Sequence, residues 1–190
     1  AIVLFFKLPF LLLLSVLCNA NEGTIAFVGA TIIDGTDAAP LEDGVLVVTD
    51  GRIQTVGPRT DVTLPQEAEV IDVSGKYIMP GLINAHGHVG ATIGLNGNGG
   101  YTRNNLLRQL SLYARYGVTA VNSLGGDFGQ GFRLRDEQFN SNLNRARIYV
   151  AGSVVVGDSE EAIRNEVNRN ADVGANFIKV RIDDNLGATQ

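Results

Sequence analysis

The stretch Ile78–Val89 constrains this chain more than any other, because it contains both of its histidines, His86 and His88. Side chains alternate between the two faces of a β-strand, so Asn84 and the two histidines are predicted to share one face. Neutral imidazole is the commonest metal ligand, and Gly87 leaves room between the two rings. The spacing therefore predicts that His86 and His88 bind one metal ion at the end of a strand.

The residues before the histidines make this signal more specific than a bare His-x-His pair, which also occurs as two ordinary polar residues. Pro80-Gly81 predicts a turn, and Leu82 begins a short apolar strand that runs into the histidines. The segment closely resembles the first barrel strand of the amidohydrolase superfamily, whose signature is roughly Pro-Gly-(Leu/Phe)-(Ile/Val)-Asp-x-His-x-His. Asn84 stands where the family has aspartate, and an amide lacks the charge of a carboxylate.

The composition excludes some classes of function. The 190 residues are 45% hydrophobic and carry a formal net charge of −5, without any basic run. This balance suits a soluble globular chain and argues against nucleic-acid binding.

Residues 1–20 are predicted to be a secretory signal peptide. Lys7 is followed by the almost wholly apolar run Leu8–Leu17, and Cys18 and Ala20 are small residues at the −3 and −1 positions of a cleavage site. The alternative is a retained membrane anchor, but the apolar core is shorter than the ~20 residues that a spanning helix needs. We therefore expect a secreted or periplasmic bacterial protein with no stable membrane insertion after cleavage.

The cysteine content restricts the metal chemistry. Cys18 is the only cysteine, and it lies in the predicted signal peptide, where the larger Leu17 before it argues against lipidation. The mature chain would then have no disulfide and no thiolate ligand, so any metal must be held by nitrogen and oxygen. Since the chain lacks an initiating Met and stops soon after a strand-like segment, we interpret it as a fragment.

Residues 21–81 predict a small all-β domain. The run Thr24–Ile33 is rich in β-branched residues and ends at the turn-forming Asp34-Gly35. Two further turns, Asp50-Gly51 and Ser74-Gly75, predict β-hairpins. The strands expected around them are Val45–Thr49, Arg52–Val56, Glu69–Val73 and Lys76–Met79. In the amidohydrolases a β-sandwich of this kind precedes the barrel and is completed by residues that follow it.

From residue 82 to residue 190 the pattern alternates between strand and helix, which indicates a parallel α/β sheet. After the strand that carries the histidines, the predicted strands are Val118–Leu124, Arg147–Ala151 and Asn176–Ile182. The predicted helices are Thr102–Tyr116, Arg133–Asn142 and Ser159–Val173. Pattern alone leaves an open doubly wound sheet and a (β/α)₈ TIM barrel as alternatives. The resemblance implies the barrel, of which residues 82–190 would supply about the first four strands.

Local signals mark the ends of two of these helices. Thr102 is predicted to cap the start of the first helix and Gly117 to follow its end. Asp158 and Glu161 are predicted to form a capping box for the last helix, which ends before Gly174.

The predicted fourth strand carries the second candidate ligand, Lys179. Its apolar residues, Ile178, Val180 and Ile182, would pack under the surrounding helices. Lys179 and Arg181 share the other face, which is expected to line the barrel interior. Burial disfavours the charged form of a lysine and depresses its pKa, so a buried lysine is costly unless it is paired or modified.

The segment Gly174–Val180 resembles the same strand in the branch of prolidase-like and imidazolonepropionase-like amidohydrolases. In several branches of the superfamily, a lysine there reacts with carbon dioxide, and the carbamate bridges two metal ions. The alternative is that Lys179 pairs with Asp183 or Asp184. Arg181 either binds a substrate carboxylate or pairs with Asp183, and we favour the second interpretation.

Other candidates are weaker. The cluster Gly125-Gly126-Asp127 lies after the second strand, at the functional end of a barrel, but glycine clusters usually only turn the chain. It does not match a phosphate-binding loop, since no Gly-Lys-Ser/Thr follows. Tyr101 and Arg103 are close in sequence to the predicted metal ligands, and neither is taken as a site residue.

The resemblance implies a metal-dependent amidohydrolase in which a metal-activated hydroxide attacks an amide or related acyl carbon. His86 and His88 would hold one ion, and carboxylated Lys179 would bridge it to a second, with Zn²⁺ the expected metal and other divalent ions as alternatives. In the family two more histidines come from strands five and six, and an aspartate from strand eight moves the proton. This sequence contains none of those positions, so no catalytic residue is predicted and the fragment is expected to be inactive alone.

The sequence leaves several substrates and several functional classes as alternatives. Secretion and the lysine-bearing branch favour a dipeptide-like amide, with cyclic amides and lactones as further options, and a homo-oligomer is compatible with the sequence. The alternatives are a mononuclear deaminase of the same fold, a non-catalytic relative, and a secreted α/β binding domain with incidental histidines.

Overall fold

The computed structural model describes residues 23–97, 100–140 and 142–181 of the chain. The predicted signal peptide, as well as Ile182, Asp183 and Asp184, lies outside the described residues. Within them the strands are β1 (Thr24–Ile32), β2 (Leu41–Thr49), β3 (Arg52–Pro58), β4 (Glu69–Asp72), β5 (Tyr77–Ile78), β6 (Leu82–Gly87), β7 (Val118–Ser123) and β8 (Arg147–Val150). The helices are α1 (Arg103–Arg115), α2 (Gly129–Asp136) and α3 (Glu160–Asp172).

The first sheet is built around β1, which pairs with β2 on one side and with β4 and β5 on the other, while β3 continues the sheet beyond β2. Every second residue of β1 faces a small core, in which Ala26 and Val28 pack with Val45 and Val47. Asp50 and Gly51 both have positive φ, as the turn of a tight hairpin requires, so the β2–β3 hairpin is confirmed.

The second predicted hairpin, around Ser74-Gly75, is wrong. β4 and β5 do not pair with each other but run parallel to successive halves of β1. The backbone N–H of Val73 donates to Val28 O and that of Thr31 donates to Lys76 O, both at 2.9 Å. The chain at residues 74–75 thus passes a bulge in β1 and continues along the same edge, because both short segments find their backbone partners in the longer strand.

The second sheet consists of three parallel strands in the order β6, β7, β8. α1 connects the first two strands and α2 the next two, so the described residues form a mixed α/β fold with the predicted alternation. The core between sheet and helices contains Val89, Leu106, Leu110, Val121, Leu134, Ala146, Ile148 and Val150. The closed barrel, the sandwich and the division into domains at residue 81 stay predictions.

The helix predictions are confirmed in part. The hydroxyl of Thr102 accepts a hydrogen bond from Asn105 N at the start of α1. Gly117 and Gly174 both have positive φ just past the ends of α1 and α3. α3 is capped by Ser159, which accepts from Ala162 N, and not by the predicted box of Asp158 and Glu161.

The second helix begins and ends earlier than predicted, at Gly129–Asp136 and not Arg133–Asn142. Glu137 O accepts a hydrogen bond from the Asn140 side chain, and the Gln138 side chain accepts from Ile148 N. These side chains bind backbone groups just where the predicted helix would have continued.

The predicted fourth strand is Asn176–Ile182, and its described part, residues 176–181, forms a single parallel bridge, between Val180 and Val155. Asn176 first binds Val150 at the end of β8 through its backbone N–H and its side chain. The segment after β8 then turns at Gly152, whose φ is +75°. Only beyond this turn does the backbone of Val155 form hydrogen bonds with Lys179 and Arg181. This turn interrupts the ladder.

The predicted packing of the same segment is also absent in the described residues. Ile178 and Val180 are 40% and 51% exposed, although both were expected under helices. Among the described residues, no helix is long and apolar enough to span a membrane.

The bulge in β1 generates a test of the first sheet. Gly29 has φ +87°, and a Cβ there would overlap Ser74 Oγ, whereas Gly75 has φ +75° and open space around it. Gly75→Ala is expected to lower the free energy of unfolding by about 1 kcal/mol from backbone strain alone. Gly29→Ala should lower it by at least about 2 kcal/mol, since steric overlap adds to the strain. Equal losses in urea titrations would contradict the described path of the chain.

Candidate metal centre

The two histidines lie at the carboxyl end of β6, in the second sheet. His86 is within the strand and His88 immediately follows it, and both side chains are exposed. Their ring centroids are 5.3 Å apart, with the ring planes tilted by 54°. In parallel α/β sheets the carboxyl ends of the strands are where ligands bind and chemistry occurs.

This geometry fits two imidazoles on one ion. Zn²⁺ bonds to histidine nitrogen at about 2.0–2.1 Å, and a tetrahedral angle between two such bonds places the ring centroids roughly 5 Å apart. The described residues contain no group of three or more His, Cys, Asp or Glu able to hold an ion. The pair therefore supplies two ligands and needs others of a different kind or from another part of the protein.

Glycine at position 87 leaves room for the two rings, and it also allows β6 to pack closely against β7. It is buried, and a Cβ added to it would lie 2.7 Å from Val121 Cγ1 on β7. The register between β6 and β7 shifts between Asn84 and Gly87, which brings the glycine close to the neighbouring strand and interrupts the strict alternation predicted from the sequence.

Asn84 occupies the position of the family aspartate and uses both ends of its amide. Its Oδ1 accepts from the backbone N–H of His86 at 3.1 Å, and its Nδ2 donates to the Tyr113 hydroxyl of α1 at 3.3 Å. His88 lines an open cleft of about 490 Å³ with Thr92, Gln109 and Tyr113. The amide thus ties β6 to α1 beside the histidines.

Lys179 lies at the same edge of the sheet. It is half-buried, and its Cγ would be 3.6 Å from a Cβ added to Gly125, just after β7. Leu124, the residue before Gly125, donates its backbone N–H to Gly87 O between the two histidines. Arg181 is exposed and bonds to Val155 through its backbone. Asp183 and Asp184, the alternative partners of Lys179, lie outside the described residues, and so does the favoured pairing of Arg181 with Asp183.

A buried carboxylate, Asp127, is the feature that sequence reasoning missed. It is 3% exposed and accepts hydrogen bonds from Ser123 Oγ at 2.6 Å, Ala151 N at 2.9 Å, Gly125 N at 3.4 Å and the Tyr101 hydroxyl at 3.4 Å. Ser123 in turn accepts from Val89 N at 3.2 Å. The sequence signal was a lone acidic residue after two glycines, which looked like part of a turn.

Burial changes the acid–base properties of this network. It raises the pKa of Asp127, and the hydrogen bonds from Ser123 and Ala151 oppose this shift without cancelling it. Burial also raises the pKa of the Tyr101 hydroxyl, with a further contribution from the nearby charge of Asp127. Tyr101 is therefore a hydrogen-bond donor at neutral pH.

The raised pKa of Asp127 predicts a pH dependence. The folded chain binds the proton more tightly than the unfolded chain, so this residue's contribution to stability is fully present below its ordinary pKa of about 3.9 and is lost as pH rises through the raised value. We expect the free energy of unfolding of the wild type, relative to Asp127→Asn, to decrease over that range, as measured by denaturant titration at several pH values.

Asp34→Asn is the matched control with the opposite sign. The backbone N–H of Thr36, and then its hydroxyl, lower the pKa of Asp34, so that residue stabilises the fold as pH rises. The difference between wild type and Asp34→Asn should increase with pH. The same trend in both variants would contradict the assignment for Asp127.

No family model matches the chain. It is 45% identical over 53 residues to 5-methylthioadenosine/S-adenosylhomocysteine deaminase of Nitratidesulfovibrio vulgaris, an alignment that covers 27% of this chain and 12% of the deaminase. It is 36% identical over 70 residues to imidazolonepropionase of Pseudomonas putida, which covers 37% of this chain and 17% of that protein.

The fold resembles solved structures over most of the described chain. A protein of Bifidobacterium longum assigned as a prolidase matches with a TM-score of 0.74 and 27% identity, over 86% of this chain and 42% of that one. This chain thus matches less than half the length of the proteins named here. The likenesses in sequence and in fold agree with the resemblance of the His-x-His segment, and together they support the amidohydrolase superfamily.

Proposed function

We propose that the full-length protein is a metal-dependent hydrolase that cleaves a carbon–nitrogen bond, with His86, His88 and Lys179 among its metal ligands. The observation that carries the proposal is the pair of imidazoles, 5.3 Å apart at the carboxyl edge of a parallel sheet. The likeness to amidohydrolases in sequence and in fold supports it. We infer that residues 21–81 contribute to a β-sandwich and residues 82–190 to the first half of a TIM barrel.

The three side chains would have distinct tasks. His86 and His88 bind an ion through neutral nitrogens, and Asn84 restrains the backbone of His86. For Lys179, the neutral Nζ would attack the carbon of carbon dioxide; an N–C bond forms, one Nζ proton passes to solvent, and the carbamate oxygens become ligands. A bound Zn²⁺ or similar divalent ion lowers the pKa of water and polarises an acyl carbonyl.

The proposed substrate is a small molecule with an amide or dipeptide-like bond, and the assignment of the Bifidobacterium longum protein as a prolidase supports this class. We propose that the group that moves the proton during hydrolysis belongs to the full-length protein but lies outside residues 1–190. Secretion or a periplasmic location remains a proposal that depends on the predicted signal peptide.

A mononuclear deaminase is the second candidate. The 45% identity to a 5-methylthioadenosine/S-adenosylhomocysteine deaminase favours it. In this version the histidines hold the ion, and Lys179 does not bind metal.

The test is metal content and activity of the full-length gene product without its predicted signal peptide. We expect two ions per chain and hydrolysis of a dipeptide-like amide. Lys179→Ala should reduce the content towards one ion and abolish hydrolysis. His86→Ala should lower the rate by more than about 100-fold, since loss of a ligand exceeds the effect of residues around it.

Lys76→Ala is the matched control, because Lys76 is an exposed lysine in a turn of the other sheet. It should leave metal content and activity unchanged. One ion in wild type and Lys179→Ala, with amide hydrolysis retained, would contradict the carbamate. One ion with deamination in place of amide hydrolysis would favour the second candidate, and absence of metal from the wild type would contradict both.

A further inference from the structure

The backbone on both sides of His88 is held by the end of β7. Gly87 O accepts a hydrogen bond from Leu124 N at 2.9 Å, and Val89 N donates to Ser123 Oγ at 3.2 Å. His88 is therefore fixed between two contacts with one neighbouring strand, although its own side chain is exposed.

The direction of the Ser123 hydroxyl is determined by its surroundings. A serine hydroxyl has one proton to donate, and Ser123 donates it in a hydrogen bond to Asp127 Oδ1, 2.6 Å away. The lone pairs of Ser123 Oγ are then free to accept from Val89 N. Ser123 is fully buried and Val89 is 2% exposed, so water cannot readily replace the hydroxyl as partner of that backbone N–H.

The carboxylate itself is held by elements other than β6. Ala151 N, just after β8, donates to Asp127 Oδ2 at 2.9 Å, and the Tyr101 hydroxyl donates to Oδ1 at 3.4 Å. A hydroxyl bound to a group fixed in this way has little freedom to follow a movement of the β6 end. The chain of contacts runs from β8 through Asp127 and Ser123 to Val89.

We propose that Ser123 is a positioning residue of the metal centre, which holds the backbone at His88 so that its imidazole and that of His86 face one ion. This inference rests on the proposed function, since it concerns the same centre. Ser123 does not contact the metal or the substrate; it acts through the Val89 backbone, and Asp127 fixes its orientation.

The test compares three variants of the full-length protein. Ser123→Ala removes the hydroxyl, and Ser123→Thr restores one. Gln138→Ala is the control, because Gln138 is also fully buried and accepts one backbone hydrogen bond, from Ile148 N at 2.8 Å, near the amino end of β8. Denaturant titration of the metal-free proteins measures the loss of stability in each, and circular dichroism checks that each is folded.

Zn²⁺ affinity, measured by competition with a chelator, is the readout that a purely structural role would not change selectively. Ser123→Ala is expected to weaken binding by about 10–100-fold, the usual effect of losing a residue that orients a ligand. Gln138→Ala should change it by less than about 2-fold at a comparable loss of stability, and Ser123→Thr should recover most of the affinity. Equal effects of Ser123→Ala and Gln138→Ala would overturn the proposal.

Amide hydrogen exchange in the metal-free proteins separates this inference from the proposed function. Val89 N–H should lose protection in Ser123→Ala and keep it in Gln138→Ala. Unchanged protection at Val89 in Ser123→Ala would overturn the positioning role even if the wild type binds Zn²⁺. A wild type that binds no Zn²⁺ would overturn the proposed function and the role of Ser123 in it, whatever the exchange at Val89.

Discussion

The second sheet depends on one buried carboxylate. Asp127 accepts hydrogen bonds from the ends of β7 and β8 and from the loop before α1, and through Ser123 it reaches Val89, two residues after the end of β6. A carboxylate out of water needs nearly all of its donors, since an unmet acceptor costs free energy. The loops at the carboxyl edge are therefore constrained together, and the histidines lie within that constrained region.

The start of β6 is constrained at the other end of the sheet. A Cβ at Gly81 would overlap the side chain of Thr119, and Leu82 N donates to Gly117 O at 2.9 Å. The backbone at residue 81 lies directly against the start of β7, which a larger residue would prevent. The Pro-Gly step of the signature segment thus has a packing role, separate from the chemistry of the histidines.

Local signals predicted much of this structure, because they depend on few neighbours. The Asp50-Gly51 turn, the Thr102 cap and the alternation of strands and helices were all readable from adjacent residues. The turn at Ser74-Gly75 was misread because its flanking strands pair with the distant β1 and not with each other. The Asp127 network was missed for the same reason: its partners range from Val89 to Ala151 along the chain.

The close packing of Gly87 on Val121 has a consequence for how this centre can vary among related chains. A side chain at position 87 would need a smaller residue at position 121, since the space between β6 and β7 is already filled. Substitutions at the two positions should therefore occur together in homologous sequences. The residue between the histidines packs directly on β7, so position 87 can accept a side chain only when position 121 changes with it.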